Sequence, residues 1–489
     1  MSYPPQPSMP NGQYGQPAPL PQHFGTAQAP LAPQAPPPYF QISPGPPPKQ
    51  SRKALLAVLG TVFGLLGLSA GAVVYHISTR PGPTNLSTAG GTPWQKLADG
   101  MTAALSARDE EAFLKPFKGN EVREKQRKVF RNLVKIPWAA AHWETQFAAP
   151  LNGDMMVTFV HQVKGVDSKP VPEVYNWRVE PGGTAPVITA VSGSKDLMGK
   201  TSDTSYYPAP WDFYNDLAVE NRGNLVVVAD SGQAAEVKRD ADVLAQAAKD
   251  DLAAWNKAAP PAPAGRESAP GFFVVLEKRR DVYNKLYAGE GRTNDSLEAG
   301  VNMPIPAYDS KDTKQLESGG SRIVMDTTQS RFASADWKEG VSEIGRHEMG
   351  HALVEPFGTE QVLVQGLQDT QMWVVEGFAE YMAYRGKSDL ARADLKASLQ
   401  GYRFDGTLPE SLDFYSNQGQ ARAAHYALGA SALQYMGQKY GEDKVFAFVA
   451  AHYADPKQYQ RQITDATGLT LQQFQTDWAA YVRTAAGTP

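Results

Sequence analysis

His347-Glu348-Met349-Gly350-His351 is the stretch around which the chain is organised. Side chains four residues apart lie on the same face of an α-helix, so the two histidines point the same way if residues 338–355 are helical. Two imidazoles one turn apart can bind one metal ion, and the carboxylate of Glu348 lies beside them, where it can hold a water. Pro356 ends the helix, because proline has no amide hydrogen and clashes with the preceding turn. The pattern therefore predicts a metal-binding helix over 338–355.

A second stretch, Trp373-Val374-Val375-Glu376-Gly377-Phe378-Ala379-Glu380-Tyr381, has an apolar pattern with helical spacing. A structural zinc site uses four protein ligands, whereas a catalytic site uses three and keeps a position for water. Glu376 is placed to be the third ligand. Glu380 follows one turn later on the same face, where a carboxylate can accept the free N–H of a ligating histidine. The alternative is an ordinary amphipathic helix pair with two solvated glutamates.

The pattern H-E-x-x-H followed by W-x-x-E-G-x-A-E-Y resembles the gluzincin metallopeptidases, in particular the peptidase MA-like group. The resemblance covers residues 320–485 well, 205–320 weakly and 1–200 not at all. It implies a mixed sheet, zinc-binding helices and a helical C-terminal half. Its implied site residues are zinc ligands His347, His351 and Glu376, the general base Glu348, and Glu380 as the carboxylate behind a histidine.

Two further features come from the same resemblance. In gluzincins a tyrosine near the start of a later helix donates to the oxyanion; Tyr426 is the residue predicted for this role and His425 is the second choice. An aromatic residue packed in the core is the alternative. The strand 321–326 is predicted to be the sheet edge beside the cleft, where an extended peptide can pair with the main chain. Its central residues are Ile323, Val324 and Met325. A core strand without a substrate role is the alternative.

The composition excludes several classes of protein. With 489 residues, 42% of them apolar, the chain is long enough for two or three domains that each bury a core. Its net charge of −4 argues against nucleic-acid binding. The chain has no cysteine, so a thiol nucleophile and a thiolate metal site are excluded.

Residues 1–53 are predicted to be a disordered, proline-rich tail. Sixteen of the first fifty residues are proline and none is Asp or Glu, so the segment cannot bury enough apolar surface to offset its ordering entropy. Pro36-Pro37-Pro38-Tyr39 offers a ligand for a proline-reading cytoplasmic partner. A plain solvated tail is the alternative.

Residues 54–77 are predicted to be a single transmembrane helix. They are twenty-four residues without Asp, Glu, Lys or Arg. At about 1.5 Å per residue they span roughly 36 Å, enough for a hydrocarbon core of about 30 Å. Lys49, Arg52 and Lys53 precede the segment and only Arg80 follows closely, which places the tail in the cytoplasm and the C-terminal domains outside the cell. A cleaved signal peptide is the alternative.

Residues 78–91 are predicted to be a linker and 92–200 a small α+β domain. Thr92 and Gln95 have the spacing of a helix N-terminus, with proline at the first helical position. Alternating β formers follow over 138–192. This order of helices and then antiparallel strands resembles the NTF2-like or cystatin-like curved sheet. His142 and His161 fall on these strands and are predicted to be structural. Residues 290–320 are predicted to be a long surface segment.

The predicted protein is therefore α+β, with a single transmembrane helix, the small domain, and a gluzincin-type domain over 205–489. We expect a membrane-anchored zinc peptidase with one Zn²⁺ per chain, which hydrolyses a peptide or protein substrate outside the cell membrane. One alternative is a catalytically inactive, membrane-anchored binding or scaffold protein with the same fold. Another is a zinc hydrolase that cleaves a different amide, such as a cell-wall cross-link.

Overall fold

The computed structural model describes residues 91–182, 185–193, 209–263, 266–286, 298–308, 317–358, 370–415 and 419–487, all of which belong to one compact unit. The predicted tail 1–53, the predicted spanning segment 54–77 and most of the predicted linker 78–91 lie outside these residues. The predicted boundary between the domains 92–200 and 205–489 also falls outside them and stays a prediction.

The first part of the described chain contains three helices followed by four strands. The helices are α1 (Pro93–Ala107), α2 (Glu110–Leu114) and α3 (Asn120–Leu133), and the strands are β1 (Trp138–Thr145), β2 (Asp154–Val163), β3 (Val171–Glu180) and β4 (Val187–Gly193). The strands pair antiparallel in chain order. Thr92 Oγ1 accepts a hydrogen bond from the Gln95 amide at 3.1 Å, so the predicted N-terminus of α1 is confirmed.

A mixed five-stranded sheet follows. Its strands are β5 (Leu217–Asn221), β6 (Leu225–Asp230), β7 (Phe272–Glu277), β8 (Gly300–Pro306) and β9 (Ser318–Asp326). Their spatial order is β5-β6-β7-β9-β8, with β6, β7 and β9 parallel and the two outer strands antiparallel to their neighbours. The predicted surface segment 290–320 therefore contains an unpredicted strand, β8.

The remaining helices belong mainly to the C-terminal half. They are α4 (Pro210–Phe213), α5 (Ala234–Ala258), α6 (Arg280–Leu286), α7 (Trp337–Val354), α8 (Met372–Ala383), α9 (Ser388–Ser398), α10 (Gly419–Tyr440), α11 (Glu442–Ala454), α12 (Tyr459–Thr467) and α13 (Leu471–Ala486). The helix predicted over 338–355 is α7. A 3₁₀ turn that contains Pro356 follows it directly, as expected for a residue that cannot continue the hydrogen-bond ladder.

The five-stranded sheet has a hydrophobic core on each face. On β7, Phe272, Val274 and Leu276 face the core shared with the C-terminal helices, whereas Phe273 and Val275 face the core shared with α1–α3 and the first sheet. Successive strand residues point to opposite faces, so a strand covered on both sides needs a continuous apolar run. This requirement explains the apolar sequences of β6, β7 and β9.

Glycines permit close packing of α8 against α7 and α10. A Cβ on Gly350 in α7 would lie 3.1 Å from Ala379 Cα in α8, and a Cβ on Gly377 in α8 would lie 2.6 Å from the Gly429 carbonyl carbon in α10. A residue without a side chain lets two backbones approach closely. Helix α8 is thereby held tightly between α7 and α10.

The predicted fold needs one correction. Its α+β class is confirmed by the two sheets and their helices. It also included a transmembrane helix, and none of the described helices is both long and apolar enough to cross a membrane. The longest, α5, has 25 residues but carries charged side chains throughout. The described residues therefore do not contain the transmembrane helix that the predicted fold included.

Candidate metal centre

Helix α7 brings His347 and His351 onto one face, as their spacing requires. Their ring centroids are 5.1 Å apart and the ring planes are inclined by 76°. Neither residue is fully buried, whereas α7 as a whole is packed against α5 and α8 through Gly345 and Gly350. The two imidazoles are thus held by a well-packed helix and remain partly exposed.

Glu376 of α8 completes a group of three converging side chains. Its Oε2 lies 3.3 Å from His347 Nε2 and 3.5 Å from His351 Nε2, and one ligand atom from each residue lies within 4.8 Å of the others. Tetrahedral zinc with ligands at about 2.0–2.2 Å requires ligand atoms about 3.3–3.6 Å apart. The two separations from Glu376 Oε2 fit this requirement, and two imidazoles with one carboxylate are a donor set that suits zinc.

Glu380 lies behind His347, on the side away from the converging atoms. Its Oε2 is 2.9 Å from His347 Nδ1, which is positioned to donate to it. In the neutral ring, a hydrogen at Nδ1 puts the lone pair on Nε2, the nitrogen that faces Glu376 and that would bind a metal ion. Burial alone would lower the pKa of His347, but the hydrogen bonds with Glu376 and Glu380 outweigh it and raise the pKa well above its usual value.

Tyr415 is a site residue that the sequence analysis missed. Its hydroxyl donates a hydrogen bond to Glu376 Oε1, the carboxylate oxygen that faces away from the histidines. Burial would raise the pKa of Glu376, but His351 and His347 hold it well below its usual range, so the carboxylate stays charged. Tyr415 lies in the loop before α10, and no motif marks it.

Glu348 is buried beside the edge strand β8. The residue is only 5% exposed, and burial raises the pKa of its carboxyl to about 7. A Cβ built on Gly300 would lie 2.5 Å from Glu348 Oε1, so the absence of a side chain at Gly300 makes room for this carboxylate. A carboxyl whose pKa is near neutral can both accept and return a proton, as a general base must.

Tyr426 and His425 have different surroundings. The ring of Tyr426 stacks on that of His347, with 5.9 Å between the centroids. Burial raises the pKa of Tyr426 well above its usual value, so its hydroxyl keeps its hydrogen. His425 Nδ1 lies 2.9 Å from the Phe414 carbonyl oxygen and Nε2 lies 3.2 Å from the Tyr402 hydroxyl. The structure thus places Tyr426, and not His425, against His347.

The predicted edge strand is corrected by the sheet order. Strand β9 lies between β7 and β8, and its residues Ile323, Val324 and Met325 are fully buried. Among the described strands, the edge beside α7 is β8, which pairs antiparallel with β9. The strand that lies outside β9 in the sheet was not predicted.

Comparisons with known proteins do not identify a family. No protein-family model matches the chain, and no curated protein is significantly similar to it. The gluzincin resemblance therefore rests on the two motifs and on the geometry of the residues that they contain.

Proposed function

We propose that the chain is a zinc-dependent peptidase of the gluzincin type. The observation that carries this proposal is the convergence of ligand atoms from His347, His351 and Glu376, with Glu376 Oε2 at distances from both Nε2 atoms that suit tetrahedral zinc. Three protein ligands are the number used in catalytic zinc sites, since a fourth position then remains for water or substrate. A zinc ion held there would act as a Lewis acid and make water a nucleophile at neutral pH.

Glu348 is proposed to move the proton. In this role its carboxylate takes a proton from the attacking water and delivers it to the nitrogen of the leaving amine. Its burial supports the role, because burial brings the pKa of Glu348 to about 7. At that value the carboxyl holds a proton nearly as readily as it releases one, which suits a group that must do both in each turnover.

Tyr426 is proposed to donate a hydrogen bond to the oxygen that becomes negatively charged during attack. The stacking of its ring on His347 supports this role, since the phenol is then beside one of the proposed zinc ligands. Burial, which keeps the pKa of Tyr426 high, keeps the donor hydrogen in place. A donor fixed before the reaction stabilises developing charge without reorganisation.

An extended peptide is proposed to pair with the outer edge of β8, which pairs with β9 alone among the described strands. The carbonyl of Ala299 accepts from the Asp326 amide at 2.9 Å, and the Ala307 amide donates to the Glu317 carbonyl at 2.8 Å. Odd-numbered residues of β8 thus direct their backbone groups towards β9, and Gly300 and Asn302 direct theirs away from the sheet. Such backbone groups can bind a substrate strand.

The test is the full-length purified protein, loaded with zinc and incubated with a mixed peptide library. Mass spectrometry should find new peptide amino termini, and their formation should stop when the zinc is removed with a chelator and resume when zinc is restored. A zinc-loaded protein that leaves every peptide intact but cleaves a cell-wall amide would replace the peptidase proposal with the amide-hydrolase alternative. A protein that binds no zinc would refute both.

A further inference from the structure

Arg346 precedes the first histidine of the motif and points into the protein. Its Nε and Nη2 donate to Asp251 Oδ1 of α5 at 2.9 and 2.6 Å. Its Nη1 donates to the main-chain carbonyl of Arg385, two residues beyond α8, at 3.0 Å. Arg346 is 6% exposed and Asp251 is fully buried. One guanidinium therefore connects α5, α7 and the end of α8.

The carbonyl that Arg346 contacts is itself held from the other side. The Arg385 side chain bonds Glu442 of α11 through Nε at 2.5 Å and Nη2 at 3.0 Å. The Tyr381 hydroxyl, on α8, also donates to Glu442 at 3.2 Å. The end of α8 is thus fixed between α7 and α11. The Arg385 carbonyl that accepts from Arg346 is therefore held in position by α11 as well.

The position of this contact matters for the metal centre. Helix α7 supplies His347 and His351, and α8 supplies Glu376 and Glu380, so the separation of the two helices sets the distances from Glu376 to the two imidazoles. The Gly350–Ala379 contact sets the separation near the middle of the pair. Arg346 sets the separation of α7 and α8 at the end of the helix pair where His347 contacts Glu380.

Stability alone does not explain a buried charge pair at this position. Taking two charges out of water costs much of what their attraction returns, and apolar residues of similar volume often stabilise a fold as well. What the planar guanidinium adds is direction, because its donors have fixed angles and three of them are bonded here. The pair therefore contributes a defined geometry between the helices.

We propose that Arg346 is a positioning residue that fixes the separation of the two ligand-bearing helices and thereby sets the affinity for zinc. This inference rests on the proposed metal centre. It assigns a role in metal binding to a side chain that cannot reach the metal, through Asp251 on one side and the Arg385 carbonyl on the other.

The test compares Arg346→Met with Arg322→Met in the full chain. Arg322 is the matched control, because it is also buried and also bonds a buried aspartate. It donates to Asp167 at 2.7 and 3.2 Å and so connects β9 with the segment after β2. The zinc dissociation constant is measured by competition with a chromophoric chelator, and Tm is measured on the chelator-treated proteins. Both variants should have a lower Tm, but only Arg346→Met should bind zinc about 10–100-fold more weakly, the range for residues that orient ligands.

Arg346→Lys covers the case in which Arg346→Met does not fold. Lysine keeps a positive charge beside Asp251 but lacks the planar fork, so its zinc affinity should fall between those of the wild type and Arg346→Met. Unchanged zinc affinity in a folded Arg346→Met, or in Arg346→Lys where only that variant folds, would overturn the inference. An equal loss of affinity in Arg322→Met would also overturn it. A wild-type chain that binds no zinc would instead refute the metal centre itself.

Discussion

His347 and His161 are both enclosed by the protein, but their neighbours are opposite in kind. His347 lies between the carboxylates of Glu376 and Glu380. His161 is fully buried among aromatic rings, with those of Trp138 and Trp211 each 5.2 Å away, and its Nε2 is 3.4 Å from the Arg322 guanidinium. Burial and Arg322 lower the pKa of His161, whereas the carboxylates raise that of His347.

The difference separates a structural histidine from a candidate ligand. The ring nitrogens of His161 both face protein partners, since Nδ1 lies 3.4 Å from the Phe159 carbonyl and Nε2 faces Arg322. His347 uses Nδ1 for Glu380 and directs Nε2 towards a second imidazole and a carboxylate. A ligand site is marked by convergence of donor atoms and by carboxylates, and not by burial of a histidine.

Replacing His347 or His161 by alanine tests this comparison, and these substitutions should have the largest effects on zinc content and on stability. His347→Ala removes a ligand, so we expect loss of stoichiometric zinc with little change in the Tm of the chelator-treated protein. His161→Ala leaves a cavity among aromatic rings and should cost about 2–5 kcal/mol of stability while zinc is retained. Metal analysis and thermal unfolding of both variants provide the measurement. Retention of one zinc per chain by His347→Ala would remove His347 from the site.

Two glycines allow a carboxylate of the candidate site, Glu348, to be compared with a structural carboxylate, Asp167. A Cβ on Gly300 would lie 2.5 Å from Glu348 Oε1, and a Cβ on Gly320 would lie 2.2 Å from Asp167 Oδ1. Gly300→Ala should displace the base and reduce cleavage by about 10²-fold, with zinc retained. Gly320→Ala should disturb the Asp167–Arg322 pair and lower Tm with no change in cleavage by the folded fraction. Equal effects on cleavage would show that Gly300 acts only through stability.

Glu380 should have a smaller effect, confined to zinc affinity. Glu380→Ala removes the acceptor of His347 Nδ1–H but no ligand, so we expect zinc to bind about 10–100-fold more weakly and the stoichiometry to be kept. Competition with a chelator measures the change. Loss of all zinc would instead make Glu380 a ligand, and an unchanged affinity would mean that the hydrogen bond does not orient His347.

Glu355 extends the comparison to a buried carboxyl whose hydrogen-bond partners, Asn302 and Ser318, are neutral. Burial raises its pKa from 4.5 to about 8. Between these values the folded state holds a proton that the unfolded state releases, so this group makes stability fall as pH rises from about 5 to 8. Glu355→Gln should remove that slope in denaturant unfolding of the chelator-treated protein. If the free energy of unfolding changes with pH equally in the wild type and the variant, the Glu355 carboxyl is charged in the folded state.

Helices α7 and α8, which carry the candidate metal ligands, could be predicted because the pattern that indicates each one lies within a short segment. Helical periodicity and the spacing of His347, His351, Glu376 and Glu380 are contained within short segments. The residues that hold the site together come from distant segments. Asp251, Gly300 and Tyr415 have no pattern of their own, and only the tertiary fold brings them to the helices.

The edge strand shows why a strand can be missed. Strand β8 contains glycine and two prolines, Pro304 and Pro306, a composition that argues against a central strand. Proline is tolerated at an edge when its nitrogen faces away from the neighbouring strand. Pro304 has the same parity as Gly300 and Asn302, whose backbone groups face away from β9, so the prolines are compatible with the pairing seen.

Cleavage by Glu348→Gln tests the central claim most directly. Glutamine has nearly the shape of glutamate but cannot accept a proton at neutral pH, and Glu348 is not one of the three converging ligands. We predict that the variant keeps its fold and one zinc per chain while peptide cleavage falls by about 10²–10⁴-fold. Zinc content and cleavage of one peptide substrate should be measured on the same preparation. A zinc-loaded Glu348→Gln protein that cleaves at the wild-type rate would contradict the proposed mechanism.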